Sequence, residues 1–163
     1  MPARAKIGDV LEVVDPAGGF VYVHYAGRRP VEGDAIAVCP AKQPDRVAVT
    51  AALFRGAYFT FYPASKAVRE GLAKVVGHLP PPALPTRWRR PGAVFGRDVK
   101  TWLIDDAGRT EVRRTEDLSA EERLLPHASI WNHAFLIGAV SAGWRPERSV
   151  RQCGYVDVDE GAG

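Results

Sequence analysis

The chain has 163 residues, 46% apolar and 25% charged, with 22 Lys and Arg against 19 Asp and Glu and a formal charge of +3. That is a globular mix, long enough for one hydrophobic core and unlike a disordered composition, and so small a positive excess does not dictate nucleic acid or an anionic membrane as partner. No stretch approaches the ~18 consecutive apolar residues of a membrane helix, and two cysteines, Cys39 and Cys153, are too few for a disulfide framework or a four-thiolate metal site.

The start, Met1-Pro2-Ala3-Arg4-Ala5-Lys6, is charged with no apolar run behind it, unlike a secretory signal. The expectation is a cytoplasmic protein with two buried, reduced thiols. Asp9–Val14 is a β-branched run closed by Asp15-Pro16-Ala17-Gly18-Gly19, a turn signal. Residues 20–25 follow with apolar side chains on both faces, as in a strand covered on both sides. Residues 35–39 read as a third strand stopped by Pro40. Residues 47–53 show period-two apolar positions, and residues 58–62 form an aromatic strand ended by Pro63. Ser65 is placed to cap a short helix over 66–70 with Gly71 as its stop, and residues 72–76 read as another strand.

Residues 77–92 contain Pro80, Pro81, Pro82, Pro85 and Pro91. Proline fixes φ and removes backbone donors, so this stretch reads as an internal loop with little sheet pairing. Residues 99–104 and 109–115 form the clearest hairpin, joined by Asp105-Asp106-Ala107-Gly108. Its second strand has Val112 as its single large aliphatic residue and reads as a charged edge. Ser119-Ala120-Glu121-Glu122 is a capping box. Residues 133–143 suit both strand and helix, and the reading preferred is a strand passing into a helical turn ended by Gly143. Residues 155–159 read as a last edge strand. These elements predict one α+β, β-rich domain over 1–163. It is an SH3-like small barrel or a strongly bent antiparallel sheet, with a C-terminal hairpin and two or three short helices. The ordered body spans 7–146, and residues 159–163 form a frayed tail.

Motifs for chemistry are weak. His127 and His133 lack the four-residue spacing of a helical zinc pair, and Asp157, Asp159 and Glu160 read as a solvated acidic tail. No metal or cofactor is expected. There is no Gly-x-Ser-x-Gly elbow or phosphate loop. Cys39 meets His24 only if their strands are neighbours. His127 and Ser129 offer a similarly conditional pair. One cluster stands out: Arg87-Trp88-Arg89-Arg90 sets three guanidinium forks beside an indole on the Pro-rich loop. Such residues are enriched at protein interfaces and also serve single-stranded nucleic acids. Arg28-Arg29 is a weaker case of the same kind. Tyr58 and Tyr62 are candidates for lining a groove beside the sheet, while Phe59 and Phe61 read as core.

Several stretches in order carry a family resemblance. They are Ile7-Gly8-Asp9-Val10 before a Gly turn, Phe20-Val21-Tyr22-Val23-His24-Tyr25, Phe59-Thr60-Phe61-Tyr62-Pro63, Trp102-Leu103, Ile130-Trp131-Asn132 and Gly143-Trp144. The order, over residues 6–146, resembles a set of uncharacterised bacterial proteins similar to the immunity protein 26 family of polymorphic toxin systems. The resemblance implies a small cytoplasmic binding protein that docks on a toxin and blocks it without catalysis. It transfers no binding residue, so the candidates remain Arg87, Trp88, Arg89, Arg90, Tyr58 and Tyr62. The sequence reading is therefore a non-catalytic binder of a protein partner. A nucleic-acid-binding module on an SH3-like barrel stands second, and an enzyme whose site assembles only in the fold stands third.

Overall fold

The computed structural model describes residues 3–151. In chain order its strands and helices are β1 (Asp9–Val14), β2 (Phe20–Arg29), β3 (Gly33–Val38), β4 (Tyr58–Phe61), α1 (Ala64–Arg69), β5 (Lys74–His78), β6 (Arg87–Pro91), β7 (Val94–Phe95), β8 (Asp98–Val99), β9 (Thr101–Asp106), β10 (Arg109–Arg114), α2 (Ala120–Arg123) and α3 (His133–Ser141). The fold is β-rich α+β with antiparallel sheets. None of the described helices is long and apolar enough to cross a membrane. Two compact units form: residues 3–84 with 129–143, and residues 85–128 with 144–151.

The first unit is a five-stranded sheet in the order β4-β3-β2-β1-β5. The first four strands form a meander, and the fifth returns to pair with the first. The sheet bends where its register shifts, between Val10 and Leu11 and between Tyr25 and Gly27, since an extra residue on one strand deepens its twist. Residues 21–27 of β2 are all buried, as a strand with two apolar faces requires. The β1–β2 turn uses Gly18 and Gly19 at φ 115° and 89°, a region open to glycine. Asp15 anchors that turn, accepting from Ala17 N at 2.9 Å, Lys42 Nζ at 2.9 Å and Ser141 Oγ at 3.1 Å. The Lys42 ammonium, first among these donors, holds the Asp15 carboxyl below its ordinary range.

Three local expectations change here. Residues 47–53 are not a strand; the segment crosses one face of the sheet and ends in a 3₁₀ turn, Ala51–Phe54. Val49, Leu53 and Phe54 pack on Val10, Tyr22 and Cys39, so burial is satisfied without a ladder partner. Helix α1 has no side-chain cap of its own. Its Ser65 N–H donates instead to Asp34 Oδ2 of β3 at 3.0 Å. Residues 133–141 form a helix because Asn132 Oδ1 accepts from Phe135 N at 2.7 Å, an N-cap that commits the ambiguous segment. Gly143 at φ 67° follows the helix end.

Gly8 ties three strands. Its N–H donates to Tyr25 O at 2.8 Å and its carbonyl accepts from Leu79 N at 2.9 Å. It sits at φ 97°, and an added Cβ would lie 2.4 Å from the His78 ring and 2.9 Å from Leu79 O. Gly8→Ala is expected to cost about 2 kcal/mol through backbone strain and collision, read as a lower urea midpoint. An unchanged midpoint would show that β5 yields at no cost.

The second unit holds a three-stranded sheet, β10-β9-β6, and a separate two-stranded pair, β7–β8. The β9–β10 hairpin closes through Ala107 at φ 47° and Gly108 at φ 84°, two consecutive left-handed residues that match strand twist. Strand β10 lies at the sheet edge, as its charges suggest. The core is Val99, Trp102, Ile104, Leu118 and Val150, with Leu125 against it. The capping box of α2 is complete: Ser119 Oγ accepts from Glu122 N and Glu122 Oε1 accepts from Ser119 N, both at 3.0 Å. The expected last strand at 155–159, the tail at 159–163 and Cys153 lie outside the described residues.

Candidate functional site

The arginine-rich stretch is not a loop. Within 77–92, residues 87–91 form β6, paired with β9 in the register Arg87↔Asp106 to Pro91↔Trp102. Proline excludes pairing only where it stands; Pro85 precedes the strand and Pro91 ends it, so 87–90 keep their donors. On its other side β6 meets the segment of residues 126–128. Arg89 N donates to Pro126 O at 3.0 Å and Ala128 N donates to Arg89 O at 2.9 Å.

Strand alternation then splits the four candidates. Arg89 pairs with Ile104 in register and turns inward with it; it is 0% exposed. Its guanidinium lies 4.5 Å over the Trp102 ring and donates to three carbonyls: Leu125 O at 3.3 Å, Arg123 O at 3.0 Å and Pro146 O. Its Nη1 is buried with no hydrogen-bond partner among the described residues. Burial brings its pKa down to about 10, a shift opposed by Glu147 and assisted by Arg123, so it remains charged at neutral pH. The reading of Arg89 as a partner-binding arginine is overturned: it is an internal pin that ties β6 to residues 123–125 and to Pro146. Trp88 is also buried, 1% exposed, with Nε1 donating to Pro85 O at 2.8 Å, and it presents no open stacking surface.

Arg87 and Arg90 do reach solvent, with side chains 30% and 46% exposed. Each meets carboxylates of its own unit. Arg87 lies 3.2 Å from Glu121, 3.6 Å from Asp106 and 3.7 Å from Glu122. Arg113 joins this network at 3.3 Å from Glu122. Arg90 Nε donates to Asp105 Oδ2 at 2.9 Å. Across the sheet, Arg90 is registered with Leu103, and Leu103 with Val112, giving a row that spans all three strands. Val112 is 61% exposed and Phe95, near the β7–β8 turn, 75%. Val112 is the one aliphatic residue of a charged strand, and Phe95 closes the short apolar run Ala93-Val94-Phe95 between two glycines.

Tyr58 and Tyr62 belong to the first unit and are 5% and 1% exposed. Tyr58 packs 6.0 Å from the Trp131 ring. The Tyr62 hydroxyl lies 2.9 Å from His133 Nδ1, and burial pushes its pKa up to about 12. Neither lines a groove, because Trp131 and α3 cover the end of β4. Of the conditional Cys39–His24 pair, His24 lies on β2 and Cys39 directly follows the neighbouring β3, but the groups turn to other partners. The Cys39 thiol donates to Ala41 O at 3.4 Å and burial raises its pKa, the reverse of an activated nucleophile. The His24 imidazole lies 3.3 Å from Leu79 O, and burial lowers its pKa. His127 and Ser129 fall in different units.

One feature of the first unit lay beyond sequence reasoning: a cleft of about 290 Å³ lined by Arg28, Asp34, Ser65, Lys66, Arg69 and Ile130. Its residues are spread from 28 to 130 and meet only through the fold.

No family model matches the chain, and neither a curated protein nor a solved structure matches it.

Proposed function

We propose that the chain is a non-catalytic binding protein of the immunity type, which neutralises a protein toxin by covering part of its surface. The observation that supports this reading is the second unit's exposed apolar side chains: Val112, 61% exposed, stands in a cross-strand row with Leu103 and Arg90, whose guanidinium is met by Asp105, and Phe95 is 75% exposed. Arginine beside exposed apolar groups is the composition of a protein interface. A phosphate backbone asks for uncompensated cations, and Arg87 and Arg90 are compensated by Glu121, Asp106 and Asp105. For these arginines we therefore keep the nucleic-acid reading as second choice. A toxin as the partner class is what the sequence resemblance to uncharacterised bacterial proteins similar to the immunity protein 26 family implies. The mechanism is occlusion: apolar anchors exclude water from the interface while the arginine–carboxylate pairs fix register at its rim.

The test is to look for a toxin-like protein encoded beside this chain's gene and co-express the two; a neighbourhood with none would count against the reading. Cells carrying both are expected to grow, and a complex should copurify. Val112→Glu with Phe95→Ala should weaken that complex at least tenfold, since a charge buried at an apolar contact costs ~2 kcal/mol or more, while thermal stability stays unchanged. Growth arrest with folded protein present, or a complex indifferent to both substitutions, would refute the reading. A gel shift of single-stranded RNA or DNA at low salt, falling linearly with the logarithm of salt, would favour the second reading instead.

A further inference from the structure

We propose that the cleft of the first unit is a carboxylate site, built to receive an acidic side chain of a protein partner; this rests on the protein-binding reading above and names the chemistry of one contact. The cleft measures about 290 Å³, the lower end of small-molecule sites and room for one side chain. Its own acids are already engaged. Asp34 is 8% exposed; its Oδ1 accepts from the Tyr25 hydroxyl at 2.8 Å and its Oδ2 from Ser65 N at 3.0 Å. Glu32 lies in an ion pair with Arg29 at 3.4 Å.

The cations of the cleft are not so engaged. Arg28 and Arg69 are exposed, and among the described residues neither has a carboxylate within 4.0 Å. Lys66 makes one loose pair, 3.8 Å from Glu70. Three positive side chains therefore converge on a space whose two carboxylates face other donors. A carboxylate arriving there completes charge-assisted hydrogen bonds that the chain leaves open, and guanidinium forks take such groups two bonds at a time.

The frame is stiff. The Tyr25–Asp34–Ser65 bonds join β2, β3 and the start of α1, so the cations project from a fixed base and less entropy is lost on binding. Ile130, 63% exposed, lies in the segment tied to β4 by Phe61 N to Ser129 O at 3.2 Å and Trp131 N to Phe61 O at 2.7 Å. It gives the methylenes of a Glu side chain an apolar lip, which a free inorganic anion has no use for.

The probe is N-acetyl-hexaglutamate amide, titrated into the full chain and followed by NMR of arginine Nε–Hε groups and backbone amides. Saturable shifts are expected at Arg28, Arg69 and Ser65, with Arg97 and Arg109 of the second unit unmoved. Arg28→Gln with Arg69→Gln should weaken the peptide at least tenfold at unchanged melting temperature. Equal shifts at every exposed arginine, or affinity untouched by the double substitution, would overturn the site. Glutarate binding as tightly as the peptide would assign it to a free carboxylate and overturn the protein-partner assignment. The two readings fail separately. Peptide binding in the cleft with no growth rescue removes neutralisation alone, and growth rescue with no cleft shifts removes the cleft alone.

Discussion

Replacing Arg89 with Met is expected to destabilise the second unit by about 4 kcal/mol. Methionine fills much of the same volume but donates no hydrogen bond. Three carbonyls, of Arg123, Leu125 and Pro146, would be left without their donor, each costing about 1–3 kcal/mol if water cannot replace it. The stacking of the guanidinium on Trp102 at 4.5 Å would be lost as well. Part of this is offset, because a buried cation and an unpartnered Nη1 no longer have to be held away from water. The measurement is urea unfolding followed by tryptophan fluorescence. Arg89→Lys should recover less than half of the loss, since one ammonium cannot reach three carbonyls on two segments in the fork geometry. A midpoint for Arg89→Met equal to that of the native chain would show that the segments hold themselves in place.

The second large effect is acid sensitivity centred on His127. Its ring is 6% exposed, lies 5.1 Å from the Trp102 ring and 5.4 Å from Trp144, and has the Ser149 hydroxyl 3.4 Å from Nδ1. Burial, reinforced by the Arg89 charge, pushes its pKa down to about 3. In the unfolded chain the same group titrates at about 6.5. Between these values the unfolded state holds one proton more than the folded state, so stability is fully present above pH 6.5 and falls as the pH drops towards 3. The slope is about 1.4 kcal/mol per pH unit at its steepest. Urea midpoints from pH 7 to pH 4 for the native chain and for His127→Leu measure it. The native chain should lose stability over this range by clearly more than the variant, whose remaining decline comes from groups such as Asp15, also held below its ordinary pKa. Parallel curves for the two proteins would sink this assignment.

Arg89 and His127 show how far the sequence could be read. Arg87-Trp88-Arg89-Arg90 is visible as a chemical cluster in the chain, but its character follows from register. Once residues 87–91 pair with β9, alternation sends Arg89 to the core beside Ile104 and leaves Arg90 level with Leu103. The prolines at 80–82 and 85 argued correctly against pairing where they stand, but the loop reading ran on through residues 87–91, which form a strand. Tyr62 reads in sequence as the end of an aromatic strand, yet it lies one residue past β4, is buried, and meets at its hydroxyl His133 of α3, a helix from residues 133–141. The cleft was invisible for a related reason, since Arg28, Lys66, Arg69 and Ile130 have no pattern in common until β2, α1 and the segment after residue 128 are folded together.

What the sequence by itself determined is the local stereochemistry: the β-branched and aromatic strands of the first half, the Gly18–Gly19 turn, the Ala107–Gly108 hairpin and the Ser119–Glu122 capping box. Each of these is settled by backbone preference and by hydrogen bonds between residues a few positions apart. What only the tertiary structure decided is which polar groups face water. A guanidinium, an imidazole or a tyrosine hydroxyl is equally at home on a surface or inside, and its fate depends on whether distant segments bring carbonyls, rings or carboxylates to meet it. Arg89 was claimed by three carbonyls, and Arg28 and Arg69 by no carboxylate of the described chain, which is why the first became a structural pin and the others are left to bind.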